Sequence, residues 1–343
     1  MRLLVEATNG VLGVEGDRIV PPTGRFDIVI GVDGELRPGL INAHEHLHRN
    51  HYGRLGDPPY RNAYDWGDDI HARHADVIAD GRARPRAAAL LHGAEKNLRA
   101  GVTTVVHHDP WEALFEQDFP LRVLRVPHAH ALRTTPPDAS QSRDEPFMIH
   151  LAEGTDGSAA DEIRDLDARG LVTRHLLAVH VVGADADGIR RLRDAGACVI
   201  WCPTSNLFLL GRTLPSSLVA PGIDVLVGSD SLLSGAGTLL DELRAARVLG
   251  FVSDTRLVDA VGCVAARRFG IDAPSLDPGA RADFAVFRAP LLEATCSDVT
   301  LVVAGGRVRV LEPSLVPSLD AIASSGTVTE MDGVARWVAL GSS

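Results

Sequence analysis

Two histidines at the end of a short apolar stretch are the first residues that could do chemistry. The stretch is Pro38–His46, in which His44 and His46 follow the apolar run of residues 39–43. Because side chains alternate along a strand, both imidazoles point to the same face. A His-x-His pair at a strand end has the geometry of a metal site, and two solvent-facing histidines would show the same pattern. The pair alone leaves both interpretations open.

Three later apolar runs also end in side chains that bind metals or carry protons. His150 closes one run and is followed by Glu153, His180 closes the next, and Asp230 follows the last. Neutral imidazoles with one carboxylate are the ligands that zinc or a similar divalent ion prefers, and such a set leaves a position for water. The strand ends taken together therefore favour a metal centre.

The spacing of these strand ends indicates how the elements are arranged. His150, His180, Pro203 and Asp230 are separated by 30, 23 and 27 residues, the length of one strand and one helix. Apolar strands that alternate with helices predict an α/β fold with a parallel sheet, and polar residues at one end of every strand predict a (β/α)8-type TIM barrel. A doubly wound open sheet also alternates, but it normally places its ligand at one switch point.

The two ends of the chain differ from this central pattern, because their sequences predict short strands separated by turns. Residues 1–36 together with residues 281–343 predict one small β domain built from both chain ends, and residues 37–280 predict the barrel. A short helix is expected in the tail, at residues 333–340.

Within the predicted barrel, two segments depart from a regular strand and helix unit. The polar and aromatic stretch His48–His71 predicts a long loop that covers the site. About 20 residues separate Val126 from Phe147, where a helix, a strand and a second helix should fit. The barrel is therefore expected to be abbreviated around its third and fourth strands. A single helix is predicted over residues 256–269.

Composition limits the partners. The net charge is −11 and the sequence has no basic run, which argues against a nucleic-acid partner. No stretch of 18 apolar residues occurs, so we expect no membrane partner and a cytoplasmic location. The four cysteines are expected to be free thiols. The oligomeric state stays open, and a homo-oligomer is one option.

Eight motifs, in order from about residue 26 to residue 311, are similar to those of one enzyme superfamily. They are Pro38–His46, Asp65-Trp66 with Ile70, Glu95 with Gly101–Val105, His150–Glu153, His180, Cys202–Leu207, Gly228–Asp230, and Arg281–Phe284 with Val303–Val308. The pattern resembles the amidohydrolase superfamily. Within it, the pattern is most similar to the single-metal branch of S-adenosylhomocysteine, guanine and cytosine deaminases and triazine chlorohydrolases.

The resemblance implies roles for individual residues. It implies that one divalent ion is held by His44, His46, His150 and Asp230. Glu153 would transfer protons, His180 would hydrogen-bond the attacking oxygen, and Asp230 would also help to deprotonate the attacking water. Trp66, which belongs to one of these motifs, is a candidate for contact with the substrate, and His107 and His128 are candidates as further histidines near predicted strand ends.

The implied reaction is hydrolytic deamination of an amino-substituted N-heterocycle, such as a purine, pterin, pyrimidine or triazine, by a metal-activated hydroxide. Two alternatives stay open: hydrolysis of a non-aromatic cyclic amide or formimino C–N bond at the same site, and a non-catalytic binding barrel. Lys96 is the single lysine and lies in the helix before the second strand, so composition excludes the lysine-bridged two-metal site of other superfamily members. Zinc is favoured by ligand type, and iron or manganese fit the same ligands.

Overall fold

The computed structural model describes residues 1–137, 144–219 and 221–341. The chain opens with five short strands, β1 (Arg2–Ala7), β2 (Gly10–Glu15), β3 (Arg18–Val20), β4 (Ile28–Gly31) and β5 (Glu35–Pro38). The first four form a sheet in the order β3-β2-β1-β4. In this sheet β1 pairs antiparallel with β2 and parallel with β4.

Eight apolar strands form the centre of the molecule. They are β6 (Leu40–Glu45), β7 (Val102–His107), β8 (Arg122–Leu124), β9 (His128–Ala131), β10 (Phe147–Leu151), β11 (Leu176–His180), β12 (Cys198–Trp201) and β13 (Asp224–Val227). One parallel sheet has the order β6-β7-β8 and the other the order β13-β12-β11-β10-β9. Every residue of β6, β7, β10, β11 and β12 is buried, as parallel strands covered on both faces require. The prediction of an α/β fold with parallel strands is confirmed.

Helices alternate with these strands. They are α1 (Ala63–Arg73), α2 (Ala75–Arg82), α3 (Arg86–Leu98), α4 (Gly157–Ala168), α5 (Ala186–Ala195), α6 (Pro203–Leu210), α7 (Leu239–Leu249), α8 (Asp254–Ala260) and α9 (Cys263–Phe269). The side chains of Asp156 and Asp185 cap α4 and α5 by accepting backbone N–H bonds. Among the described residues, none of these helices has the length and apolar character needed to cross a membrane.

The two parallel sheets meet where β13 ends beside β6. Glu45 and Asp230 form a parallel bridge there, and the Asp230 N–H donates to the His44 carbonyl at 3.1 Å. Gly228 allows this approach, because a Cβ at that position would lie 2.6 Å from the Cβ of His44. The first and last strands of the centre are thus held together at the ends that carry the candidate site residues.

On the opposite side the sheets are linked by one extended segment. Arg125–Pro127, three residues, separate β8 from β9, and parallel neighbours need a crossover of about a dozen residues or more. Accordingly, β8 pairs with β7, whereas the Pro127 carbonyl already accepts from the Met148 N–H and β9 pairs with β10. No ladder joins β8 to β9 in the described parts of the chain. The segment therefore changes partner along its length, and the hydrogen-bonded barrel is not closed here.

The same segment accounts for the short interval noted in the sequence. The fourth strand is present as β9, and no helix precedes it. After β9, the described residues 132–137 and 144–146 contain turns and bends and no helix. Residues 138–143 of the interval lie outside the described residues.

The two chain ends share one β structure. The C-terminal strands are β14 (Phe284–Phe287), β15 (Val299–Ala304), β16 (Arg307–Leu311), β17 (Thr327–Met331) and β18 (Val334–Val338). They form a sheet in the order β17-β18-β16-β15-β14-β5, which brings β5 against β14. The apolar core beneath takes Leu3 and Ile30 from the start of the chain and Phe284 and Trp337 from its end.

The loop predicted over His48–His71 is wrong in its second part, where α1 begins at Ala63. The Asn62 side chain caps this helix by accepting from the Asp65 N–H at 2.9 Å. Ile70 is the buried residue on α1, so the helix has almost no apolar stripe in its sequence. Residues before Asn62 do form the irregular covering segment that was expected.

Two predicted helices also differ from the structure. The helix expected over residues 256–269 is broken at Val261 and Gly262, which separate α8 from α9. The helix expected at 333–340 is wrong, because Val334–Val338 is strand β18. Asp332 and Gly333 both have positive φ, at 53° and 73°, and form the tight turn of a hairpin with β17. An Asp-Gly pair between two apolar runs is a hairpin signal that the sequence carried.

We expect Arg99 to stabilise the attachment of the C-terminal hairpin to α3. The buried guanidinium donates to the Glu95 carboxylate at 2.9 Å and to the carbonyls of Val334 and Thr329 at 2.8 and 2.9 Å. Arg99→Met leaves these acceptors unpaired and should lower the free energy of unfolding by about 3 kcal/mol in urea denaturation. Arg61→Met, which removes an exposed ion pair with Asp65, should cost less than about 1 kcal/mol. Equal losses in the two variants would contradict this interpretation.

Candidate metal centre

Four donor atoms from three strand ends converge on one point. The Nε2 atom of His150 lies 3.2 Å from Nε2 of His44 and 3.4 Å from Nε2 of His46. Asp230 Oδ1 lies 3.8 and 3.7 Å from the same two histidine atoms. Ligand atoms around a tetrahedral zinc ion with bonds of about 2.0–2.1 Å stand roughly 3.4 Å apart. The four distances given, 3.2–3.8 Å, are therefore those expected between ligands of a single ion.

Hydrogen bonds at the other ring nitrogens fix the direction of two of these imidazoles. His46 Nδ1 lies 2.5 Å from Asp109 Oδ2, and His150 Nδ1 lies 2.7 Å from the carbonyl of His130. A proton at Nδ1 serves both contacts, which leaves the Nε2 lone pairs directed at the point of convergence. His44 has no described hydrogen-bond partner for its buried Nδ1. The orientation is that of metal-binding histidines.

Burial holds His44 and His150 in the neutral form. Burial lowers the pKa of His44 and His150 well below the ordinary value, and the neighbouring histidines lower it further. Neutral imidazole is the form that binds a metal ion. A cluster of buried neutral nitrogens beside one carboxylate suits a divalent cation, so the residues present fit such an ion.

The groups around Asp230 favour its ionised form. Burial raises its pKa, but His46, His180 and the hydroxyl groups of Ser205 and Ser234 lower it, and the pKa lies below the ordinary value. Both hydroxyls donate to Oδ2 at 2.8 Å, so Oδ1 is the oxygen that faces the histidines. The residue has a left-handed backbone, with φ of 54°. Non-glycine residues in this conformation are strained and cluster at functional sites.

Glu153 and His180 form a second pair beside the four donors. Glu153 Oε1 lies 3.5 Å from His180 Nε2, and His180 Nδ1 donates to Asn206 Oδ1 at 2.8 Å. Burial raises the pKa of Glu153 to about 7. Near neutral pH this carboxyl group can therefore both give and take a proton, whereas Asp230 stays ionised. Two carboxyls with separated pKa values in one site are typical of acid–base chemistry.

A cavity of about 510 Å³ opens onto the site. His46, His150, Glu153, His180 and Asp230 line it at the site, and the covering segment with α1 and α2 supplies another wall that includes Tyr64, Trp66, Ile70 and Arg82. Pockets of this size hold small organic ligands. The Trp66 indole lines the cavity while its N–H donates to the Leu55 carbonyl at 2.9 Å.

The other two residues proposed to contact substrate lie elsewhere. Neither His107 nor His128 is among the described residues that line the cavity. The His107 ring packs against Phe115, and its Nδ1 accepts from the Leu47 N–H at 3.3 Å. His128 is half-buried, with Nδ1 donating to the Val126 carbonyl at 3.1 Å.

The structure also contains a buried network of charged and polar side chains around Glu45, which was not predicted from the sequence. Glu45 is the last residue of β6, stands between His44 and His46 in the sequence, and is fully buried. Its carboxylate accepts from Lys96 Nζ at 2.8 Å, Asn97 Nδ2 at 2.9 Å, Ser229 Oγ at 2.9 Å and Asn50 Nδ2 at 3.0 Å. A single lysine in an arginine-rich chain was the available signal. Asp109 was also missed, because its contact with His46 joins different strands.

No protein-family model matches the chain, but curated deaminases do. The 5-methylthioadenosine/S-adenosylhomocysteine deaminase of Symbiobacterium thermophilum is 32% identical over 188 residues, which are 47% of this chain and 43% of that protein. Other curated deaminases of the same description are matched over 28% and 53% of their length. The chain thus spans about half the length, or less, of the curated relatives it matches.

Solved structures share the fold over most of the chain. A triazine hydrolase from Arthobacter aurescens has a TM-score of 0.71 and 18% identity, covering 94% of this chain and 98% of that one. An adenosine deaminase from Xanthomonas campestris with bound zinc has a TM-score of 0.65 and 20% identity, covering 94% and 97%. Together with the deaminase relatives, these matches confirm the resemblance inferred from the motifs.

The contributions of Glu45 and Lys96 to stability and to zinc binding are expected to be coupled. Glu45→Gln leaves a buried ammonium group without its anion, and Lys96→Met leaves a buried carboxylate without its cation, so each should lower the free energy of unfolding by about 3 kcal/mol or more. Each should also weaken zinc binding, since Glu45 sits between two of the proposed ligands.

The double variant Glu45→Gln/Lys96→Met removes both charges and should recover most of the stability and affinity. Urea denaturation of the metal-free protein and a zinc titration against a chelator measure both quantities. A double variant as impaired as the sum of the two single variants would show that the pair is not coupled.

Proposed function

We propose that this chain, which is similar to the amidohydrolase superfamily in sequence and in fold, is a metal-dependent hydrolase that deaminates an amino-substituted N-heterocycle. The observation that carries the proposal is the convergence of His44, His46, His150 and Asp230 beside Glu153, at the end of one cavity. Purines, pterins, pyrimidines and triazines are the substrate classes considered.

We infer that the two parallel sheets are arcs of one (β/α)8-type barrel. The contact between β6 and β13 supports this on one side. The segment that carries β8 and β9 occupies the other side and abbreviates the barrel there. By the same inference, residues 37–280 form the barrel domain and residues 1–36 with 281–343 form the small β domain, of which residues 342–343 lie outside the described chain.

One divalent ion would be held by His44 Nε2, His46 Nε2, His150 Nε2 and Asp230 Oδ1. Zinc fits this mixture of imidazoles and one carboxylate best, and iron or manganese fit it less selectively. When bound, such an ion lowers the pKa of a water and polarises the carbon that is attacked. The remaining steps belong to the side chains around it.

Glu153 would act as the proton carrier. With a pKa raised to about 7, its carboxyl group gives a proton to a ring nitrogen of the substrate, which makes the adjacent carbon electrophilic. The ionised Asp230 accepts a proton from the attacking water. The ionised Glu153 then takes the proton of the hydroxyl group added to the carbon and passes it to the amino group, which leaves as ammonia. The proton held by Asp230 returns to Glu153 and restores both side chains.

His180 would orient the nucleophile. Because its Nδ1 donates to Asn206, neutral His180 presents a lone pair at Nε2 to the cavity. It can accept a hydrogen bond from the attacking water, and when protonated it can donate one to the developing oxygen. Asn206 is fixed in turn, because its Nδ2 donates to Thr213 Oγ1 at 3.3 Å, which assigns the oxygen to the histidine side.

The aromatic side chains that line the cavity support this substrate class. Tyr64 and Trp66 line the cavity, and flat aromatic side chains suit a planar heterocycle. The curated relatives named above are deaminases of adenosine-like compounds, and one structural neighbour is a triazine hydrolase. These support a small-molecule heterocycle as partner.

The experiment that tests the function measures metal content per chain and ammonia release over a panel of aminopurines, aminopyrimidines, pterins, triazines and formimino compounds. About one ion per chain with ammonia from one heterocycle class is expected. Glu153→Gln should keep the ion and lose activity by about 10²–10⁴-fold. Asp230→Asn should lose both ion and activity.

Other outcomes separate the alternatives. Hydrolysis of formimino compounds or cyclic amides with no ammonia from aromatic rings would move the assignment to a non-aromatic C–N bond. One ion without turnover of any compound would favour a binding barrel. Two ions per chain would contradict a single-metal centre.

The rate should depend on pH through Glu153. Its donor form is the protonated one, so kcat/KM should fall as pH rises through about 7. The negative charge of Glu162 is one cause of the raised pKa of Glu153. Glu162→Gln should therefore move the falling limb of the profile to lower pH.

Asp161→Asn is a matched control for this shift, because Asp161 lies on the same helix, α4, with its side chain 67% exposed. Its profile should coincide with that of the unmodified protein. A limb that stays in place in Glu162→Gln would show that another group controls it.

A further inference from the structure

His108 lies beside the proposed metal centre and is not one of the four ligands named above. The residue directly follows β7 and is fully buried. Its Nε2 lies 2.9 Å from the Ala129 carbonyl, so the proton of the neutral ring is on Nε2 and Nδ1 carries the lone pair. That Nδ1 is buried and has no hydrogen-bond partner among the described residues. Buried acceptors are almost always satisfied, so this atom requires a partner.

His108 belongs to the same cluster as three of the proposed ligands. One ligand atom each from His44, His46, His108 and His150 lie within 4.8 Å of one another. The His108 ring is centred 4.3 Å from that of His150 and 5.1 Å from that of His44. Nδ1 of His46 is directed at Asp109 and Nδ1 of His150 at the His130 carbonyl, so in the neutral form neither ring has a proton left to donate to His108. A cation is the partner that would satisfy all of the lone pairs together.

The hydrogen bond that fixes the orientation of the His108 ring supports a role as a metal ligand. His150 and His46 each direct one nitrogen to a carbonyl or carboxylate and the other to the centre. His108 does the same, with the Ala129 carbonyl as its fixed partner. Ligating histidines are typically oriented in this way. His128, whose ring is 5.1 Å from that of His108, is not among the clustered donors.

The position of His108 leaves the side of the metal centre that faces the cavity free. His46, His150 and Asp230 line the cavity, whereas His44 and His108 are not among its described lining residues. A ligand from His108 would thus approach the ion from the protein side. The cavity side stays open to water and substrate.

We propose that Nδ1 of His108 is a fifth protein ligand of the metal ion, supplied by the strand after the His44–His46 strand. The inference rests on the proposed metal centre. Four imidazoles and one carboxylate make the site richer in nitrogen than the four-ligand set, which favours zinc or cobalt over manganese. His108 therefore contributes to which metal the chain selects.

Cobalt(II) titration tests the proposal without using activity. The visible absorption of cobalt is intense in four-coordinate sites and weaker in five-coordinate ones. We would titrate the metal-free full chain, His108→Phe, His108→Gln and the neighbouring control His128→Gln, with a competing chelator to obtain each Kd. Circular dichroism before titration establishes that each variant is folded.

The expected result is a five-coordinate spectrum in the unmodified chain and at least about tenfold weaker cobalt binding in both His108 variants. Their spectra should gain intensity as the fifth ligand is lost, and zinc should lose more affinity than manganese. His128→Gln should match the unmodified chain in spectrum and Kd.

Unchanged Kd and spectrum in the His108 variants would overturn the proposal and leave the deaminase assignment standing. Failure of the unmodified chain to bind cobalt or zinc would overturn the metal centre and this ligand together. If both variants fail to fold, X-ray absorption of zinc in the unmodified chain and in His180→Gln decides: four imidazoles in both support His108 as a ligand, and three in either refute it.

Discussion

The candidate site depends on the contact between the first and the last strand of the parallel sheets. His44 and Asp230 belong to strands far apart in sequence, and their donor atoms meet because the Asp230 N–H binds the His44 carbonyl. Glu45 reinforces this junction, since its carboxylate accepts from Ser229 beside Asp230 and from Lys96 on α3. The buried carboxylate of Glu45 thus connects β6, the residues that follow β13, and helix α3.

Burial at this junction has an electrostatic cost that the neighbouring groups offset. A lone buried carboxylate or ammonium costs several kcal/mol, and Glu45 and Lys96 remove that cost for each other. Burial lowers the pKa of His44 and of His150, so both rings stay neutral and their Nε2 atoms face each other at 3.2 Å. A divalent cation satisfies these lone pairs at once. The burial that stabilises the fold therefore also prepares the ligands.

The sequence predicted the features that follow from local periodicity. Alternation along a strand placed His44 and His46 on one face, and the structure brings their donor atoms within 4.8 Å of each other. Short apolar strands that alternate with helices were predicted from the same kind of pattern. Helix α1 was missed because Ile70 is its buried residue and the apolar repeat is too weak to detect.

Features that depend on contacts between strands could not be predicted. The role of His108 depends on which carbonyl faces its ring, and that carbonyl belongs to Ala129 in β9, which follows β8 without a helix. Asp109 becomes relevant only where it meets His46. Substrate contacts were the least predictable, because Trp66 lines the cavity while His107 and His128 do not.

The most direct test of the account is a crystal structure of the zinc-loaded chain with anomalous data at the zinc edge. The account predicts one anomalous peak per chain, bonded at about 2.0–2.2 Å to the Nε2 atoms of His44, His46 and His150 and to Asp230. A peak elsewhere, a second peak of equal height in the same site, or no peak among these four side chains would contradict it.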